Sequence, residues 1–182
     1  MTGERARLVR VSVGGLALVG GLLAFVATFL PWLTTDTEDG GMTSITGWGW
    51  ITGSSQIAGT NLNDVLDGSG TYRPGLIGLI FGVIAAVAGF VIMVYLPPGR
   101  RPHRVTASVL TLCGLACLGW GLWRGIDPGD ASVFQAGETS AAFGPWLTVI
   151  AGVLILVPAV VVFAGRIDAP VSAPVRRGIQ PR

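Results

Sequence analysis

GLIGLIFGVIAAVAGFVIMVYL, residues 75–96, is a run of 22 residues without a charged side chain. As an α-helix it would be about 33 Å long, which matches the roughly 30 Å hydrocarbon core of a bilayer. Backbone N–H and C=O groups find no water there, so a crossing segment has to pair them internally as a helix. The run therefore predicts a transmembrane helix.

Three further apolar runs lie on either side of this one, at residues 8–33, 105–123 and 146–165. Only 12% of the 182 residues are charged, against about 25% in soluble domains. Prolines mark the span boundaries, since proline lacks the N–H that a helix interior needs. We predict an all-α integral membrane protein, a four-transmembrane-helix bundle, with these parts: a transmembrane domain over 1–165, spans 8–33, 75–96, 105–123 and 146–165, outer loops 34–74 and 124–145, and a disordered cytoplasmic tail over 166–182.

The first span begins with Arg5, Arg7 and Arg10, as a secretory signal peptide also would. Its apolar stretch of about 20 residues exceeds the roughly 7–15 of a signal core. We therefore expect this span to be retained. Pro158 lies inside the fourth run, where we expect it to kink the helix.

All basic residues are arginines, and ten of the twelve fall on one side of the predicted spans. Only Arg73 and Arg124 fall on the other side, together with eight of the ten acidic residues. The positive-inside rule then places both termini and the loop around Arg100 in the cytoplasm. We expect a multi-pass protein of the inner (plasma) membrane.

The six tryptophans all lie at or near the predicted outer ends of the spans. They form either an ordinary interfacial belt or, at Trp48 and Trp50, an anchor of the first outer loop to lipid or to a partner. The same loop alternates small and large residues, and the segment 42–51 predicts a short strand or hairpin. The Asn/Asp/Gly-rich segment 61–70 predicts a turn.

Small residues recur at four-residue spacing in the spans, as at Gly78 and Gly82 in the second and Cys117 and Gly121 in the third. Such stripes let helix backbones approach closely. They serve either packing among the four spans or contact with another membrane protein. The candidate contacts with a partner or with lipid are Trp48, Trp50, Gly78, Gly82, Gly121 and Trp146.

Several kinds of chemistry have no support in the sequence. No acidic, histidine or arginine residue lies deep in a predicted span, which argues against an ion-coupled transporter. There is no phosphate-binding loop, no metal-ligand spacing and no base for a serine nucleophile. We expect Cys113 and Cys117 to act as small packing residues. The chain is thus predicted to be no enzyme, to use no cofactor or metal, and to bind no nucleic acid.

The sequence resembles small four-helix membrane proteins of actinobacteria. The residues that carry the resemblance are Pro31-Trp32-Leu33, Leu66-Asp67-Gly68-Ser69-Gly70 and Gly144-Pro145-Trp146-Leu147. Its plan also resembles the claudin-type bundle, with a Gly-Trp pair in a long first outer loop. The two cysteines that claudins pair in that loop are missing here. Within the actinobacterial group it resembles the lipid-uptake coordinator subunit of mycobacterial mammalian-cell-entry (Mce) lipid importers.

That resemblance implies a non-catalytic accessory or regulatory subunit of a larger inner-membrane envelope complex. Its expected partners are membrane lipids and other membrane proteins, such as a lipid-importer permease. Two alternatives stay open from the residues alone. One is a stand-alone lipid- or small-molecule-binding membrane protein or small channel, and the other is an envelope scaffold.

Overall fold

A computed structural model of the chain describes residues 3–36, 41–66, 71–95, 100–128 and 139–164. The predicted tail, 166–182, lies outside these ranges, as do Leu96 at the end of the second predicted span and residues 97–99 after it. Four helices are long and apolar enough to cross a membrane, and a small antiparallel sheet accompanies them. In chain order the elements are α1 (Gly3–Ala27), β1 (Pro31–Asp36), β2 (Met42–Thr46), β3 (Ile51–Gly53), α2 (Leu62–Val65), α3 (Gly75–Val94), α4 (Arg100–Ile126), β4 (Thr139–Ala141) and α5 (Phe143–Phe163).

The four long helices form a ring in which α1 packs against α3 and α5, and α4 packs against the same two helices. The outward surface of the ring is apolar, with Val87, Phe90, Leu112 and Val160 all exposed. So broad an apolar surface is rare on a soluble monomer and is what lipid tails solvate well. The membrane-helix prediction is thereby confirmed at the level of four candidate spans.

Glycines seven residues apart bring α1 and α3 into backbone contact. Gly14 faces Gly89, and Gly21 faces Gly82, in one antiparallel register. A Cβ at Gly21 would lie 2.5 Å from the Gly82 carbonyl oxygen, closer than Cβ atoms pack. Since seven residues fall slightly short of two full helical turns, a seam with this repeat favours a left-handed crossing.

The pair α4 and α5 has a second seam of the same kind. Gly114 faces Gly152, and Gly121 faces the Pro145 carbonyl oxygen, again seven residues apart. Gly20 of α1 packs against Ile155 of α5 and so joins the two pairs. The core between the helices is accordingly built from small side chains, many of them alanines.

The first helix is shorter than the sequence predicted. It ends at Ala27 and not near Leu33, and β1 begins at Pro31. The 21 residues from Arg7 to Ala27 already give about 30 Å of helix, enough to cross the hydrocarbon core. Pro31 cannot donate a helical hydrogen bond, and the threonines that follow favour a strand.

The strands form one sheet in the order β3-β2-β1-β4, with all neighbours antiparallel. Strands in the first loop were predicted, whereas β4, from the second loop, was not. Leu33, Ile45 and Ile51 pair across the sheet and form its buried face with Leu62 and Tyr72. The sheet joins the two halves of the chain, because β4 leads directly into α5.

We predict that Gly21→Ala lowers the melting temperature in detergent, because the added methyl group must push α3 away. A cost of about 1–3 kcal/mol is typical of overpacking. Cys113 and Cys117 are buried, so the fluorescence of a thiol-reactive dye during heating reports unfolding. Gly15→Ala is the matched control, since a Cβ there meets nothing within 4 Å. Equal melting temperatures for the two variants would contradict the seam.

Candidate functional site at the head of the bundle

The sheet, the connecting segments 47–50 and 54–61, the α2 turn and residues 71–74 lie together at one end of the bundle, and we call them the head. Trp32 anchors the head to the helices. A register shift in β1 between Pro31 and Leu33 re-aims this residue, so that Trp32 and Leu33 are both buried. The Trp32 indole N–H donates to the Ala27 carbonyl at 2.8 Å and so satisfies the last residue of α1.

Glycines make room for the Trp32 indole. A Cβ at Gly144, at the start of α5, would collide with the ring, and one at Gly47 would lie 2.8 Å from its nitrogen. Gly47 also donates its N–H to the Leu30 carbonyl at 3.2 Å and accepts from the Gly75 N–H at 3.0 Å. One turn of the head thus bonds both the end of α1 and the start of α3.

Two asparagines hold the next part of the head. Asn61 caps α2 and donates to the Trp48 carbonyl at 3.1 Å. The Asn63 side chain pairs with both backbone groups of Tyr72, accepting from its N–H at 2.7 Å and donating to its carbonyl at 3.2 Å. Gly49 has a φ of +84°, a conformation that glycine adopts without strain. These bonds fix the Trp48–Trp50 turn against the chain that enters α3.

The end of α4 packs against residues 72–74, the segment that enters α3. Trp120 donates its indole N–H to the Pro74 carbonyl at 2.8 Å. The Arg124 guanidinium carbon lies 5.7 Å from the Trp120 ring centroid and 5.9 Å from that of Tyr72, within cation–π range. Burial raises the pKa of the Tyr72 phenol above its ordinary 10.0, and the charge of Arg124 offsets part of this rise.

An open cleft of about 400 Å³ lies where the head meets the end of α1. Its lining is formed by Phe29, Thr46, Trp48, Trp50, Asn61 and Arg73. Phe29 is 53% exposed and Trp50 is 52% exposed, so two large aromatic surfaces face outward here. The Trp48 indole N–H is buried and has no hydrogen-bond partner among the described residues.

The predicted contact residues divide into two groups. Trp48 and Trp50 both line the cleft, and Trp146 is exposed at the start of α5 with its ring against Gly125. The three predicted glycines are buried within the bundle: Gly78 and Gly82 against α1, and Gly121 against α5. The space beside each of these glycines is filled by another helix of the same chain. This arrangement agrees with the interpretation that the small-residue stripes serve packing within the bundle.

Sequence reasoning missed Phe29, Thr46, Asn61 and Arg73 as cleft residues. The sequence did distinguish Arg73, because Arg73 and Arg124 are the only arginines on the predicted outer side of the spans. Phe29 was assigned to the first span, since the run of apolar residues continues past the point where the helix ends. Within the described ranges no three His, Cys, Asp or Glu side chains come together as metal ligands.

Comparison with models of known protein families finds no match, and comparison with curated proteins finds no similar sequence. The geometry of the head is therefore the basis for assigning a function.

We predict that Trp32→Phe lowers the free energy of unfolding by about 1–3 kcal/mol, because the Ala27 carbonyl keeps only its longer bond from the Leu30 N–H and the smaller ring leaves part of a buried site empty. The thiol-dye melting assay measures this effect. Trp50→Phe is the control, because that ring is half exposed and makes no hydrogen bond through its nitrogen in the described part of the chain. An equal effect of both substitutions would remove Trp32 from its anchoring role.

A second prediction concerns Tyr72. The folded protein holds the phenolic proton more tightly than the unfolded chain, so the free energy of unfolding should fall as pH rises above about 10. The chain has two tyrosines, and Tyr95→Phe leaves only Tyr72 to titrate. Tyrosinate absorbance should then appear at higher pH in the folded protein than after denaturation. The same midpoint in both states would contradict the burial of this phenol.

Proposed function

We propose that the chain is a non-catalytic accessory subunit of a larger membrane complex, and that the outward face of the head sheet is its docking surface. The supporting observation is a row of hydroxyl side chains that runs across all four strands: Ser140, Thr34, Ser44 and Thr52. Thr34 and Ser140 share a hydrogen bond of 2.7 Å, and Thr52 donates to the Ser44 carbonyl at 3.3 Å.

This hydroxyl row has an unusual composition for a sheet face in water. Edge strands commonly carry charged side chains that prevent pairing with other proteins, and the edge strands of this sheet, β3 and β4, carry none. The row contains no charge, and depletion of charge is the compositional mark of interface centres. An uncharged row on a head that is bonded to the bundle favours a docking platform over a mobile loop. The exposed Asp36 lies on the same side of β1 as Thr34, but at the end of the strand and outside the row.

The interior of the bundle favours an accessory subunit over a stand-alone channel. Ala17, Ala24, Ala85 and Ala151 are fully buried between the helices, and the glycine seams bring the backbones together. In the described parts of the four spans, the charged residues Arg7, Arg10, Arg104 and Arg124 lie at the ends. A polar path through one copy of this bundle would need space that these contacts fill.

We propose further that the larger complex is an Mce-type lipid importer, and this assignment rests on the resemblance of the sequence to Mce accessory subunits. Two of the motifs that carry the wider resemblance to small actinobacterial four-helix proteins, Pro31-Trp32-Leu33 and Gly144-Pro145-Trp146-Leu147, meet in space where Trp32 packs against Gly144. This contact supports treating them as one structural unit. We propose an inner-membrane orientation in which the arginine-rich end is cytoplasmic and the head faces outward, as the positive-inside rule favours.

The proposal is tested by purifying the tagged chain from its native membranes in mild detergent, followed by mass spectrometry. We expect a complex of fixed stoichiometry that Ser44→Arg disrupts, because the new charge would be buried at the centre of the interface. Gln56→Arg is the control, since it adds the same charge at an exposed position of the head outside the hydroxyl row.

The thiol-dye assay verifies that both variants are folded. Recovery of the wild-type chain as a lone monomer would contradict the accessory role. Equal recovery of the complex from Ser44→Arg and wild type would support the accessory role but would exclude the hydroxyl row as the docking surface.

A further inference from the structure

We infer that the cleft between the head and α1 binds the headgroup of an anionic phospholipid from the surrounding bilayer. The first argument is depth. Phe29 lies two residues beyond the end of the first span, and Arg73 lies two residues before the second span begins at Gly75. Both walls of the cleft therefore lie where the hydrocarbon ends and lipid headgroups begin.

The second argument is a continuous aromatic surface from the membrane into the cleft. Phe25, on the exposed side of α1, contacts Phe29 with ring centroids 5.3 Å apart. Phe29 in turn lies 6.3 Å from Trp48 inside the cleft. A lipid whose acyl chain lies along these three rings would remain in apolar contact while its headgroup enters the cleft. A peptide that approached from water would not contact Phe25, which lies on the membrane side.

The third argument is charge. Arg73 is exposed and is the one charged side chain among the described residues that line the cleft. Across the described residues it has no hydrogen bond or ion pair that would neutralise it. A guanidinium group matches the oxygen pair of a phosphodiester and can bond it in a bidentate manner.

Neighbouring donors complete the match to phosphate. The indole N–H of half-exposed Trp50 has no acceptor in the described part of the chain. The Thr46 hydroxyl oxygen accepts the Trp50 backbone N–H at 3.1 Å, which leaves its own proton to donate. Asn61 donates to the Trp48 carbonyl and accepts from Asn63, so these two bonds fix its amide group in the wall of the cleft.

This inference concerns the chain alone and does not depend on the accessory-subunit proposal. The test is native mass spectrometry of the purified full chain titrated with phosphatidylglycerol or with phosphatidylcholine. We expect phosphatidylglycerol, whose headgroup has a net negative charge, to bind about tenfold more tightly than phosphatidylcholine, whose choline cation opposes the attraction of the same phosphate to Arg73. Arg73→Gln should reduce its affinity to that of phosphatidylcholine, and Arg73→Lys should keep part of the preference.

Arg104→Gln is the matched control, because Arg104 is also exposed but lies at the opposite end of the bundle. Phe29→Ala should weaken the binding of both lipids equally, since it removes the contact with the acyl chain and leaves the contact with the phosphate. An unchanged preference in Arg73→Gln, or an equal loss in Arg104→Gln, would overturn the site. Displacement of the lipid by inorganic phosphate would overturn the lipid assignment and identify the cleft as a site for free anions.

A photo-crosslinking residue at position 29 tests the occupant in native membranes. Crosslinks to phospholipid are expected. Crosslinks to a protein would overturn the lipid assignment and identify the cleft as part of a protein interface. The result would be separable from the Ser44 experiment, which concerns another face of the head.

Discussion

Backbone contact between α1 and α3 sets the geometry on which the rest of the molecule depends. Without side chains at Gly21 and Gly82 the two helices approach until one backbone touches the other. In lipid there is little hydrophobic force between helices, so such close van der Waals packing is a main source of their association. The same contact fixes where α1 ends relative to the start of α3. It therefore determines where the Gly47 turn can bridge them and where the cleft opens.

The head converts this packing into a defined surface. Trp32 and Gly47 connect it to α1 and α3, Trp120 connects it to α4, and β4 connects it to α5. Each of the four long helices is thus tied to the head by a hydrogen bond or by the chain itself. Both proposed surfaces, the hydroxyl row and the cleft, are positioned by these ties. Their relative placement should persist when a partner or lipid binds.

The helices were predictable because composition alone marks them, whereas the head depended on contacts that sequence spacing does not reveal. The run at 75–96 has one interpretation in a bilayer, and α3 follows it closely. The end of α1 was wrong by about six residues, because Phe29 and Leu30 are apolar and the Thr28 hydroxyl bonds within the chain to the Phe25 carbonyl. These three residues nevertheless form a turn, and Trp32 bonds back to the end of the helix. The seven-residue glycine register was present in the sequence, but a search at four-residue spacing does not bring Gly14 and Gly21 together. Arg73 and Phe29 are 44 positions apart, and only the fold shows that they share a cleft.

The order of the strands has a consequence for biosynthesis. β1, β2 and β3 emerge from the ribosome early, but β4 is made only after α4. Until then one edge of β1 carries unpaired backbone groups while the first two spans are already in the bilayer. The late strand closes that edge and brings α5 to its place beside α1 and α4. Truncation before residue 139 would therefore leave a nascent protein with an open, association-prone sheet edge, a form that quality-control proteases and chaperones can recognise.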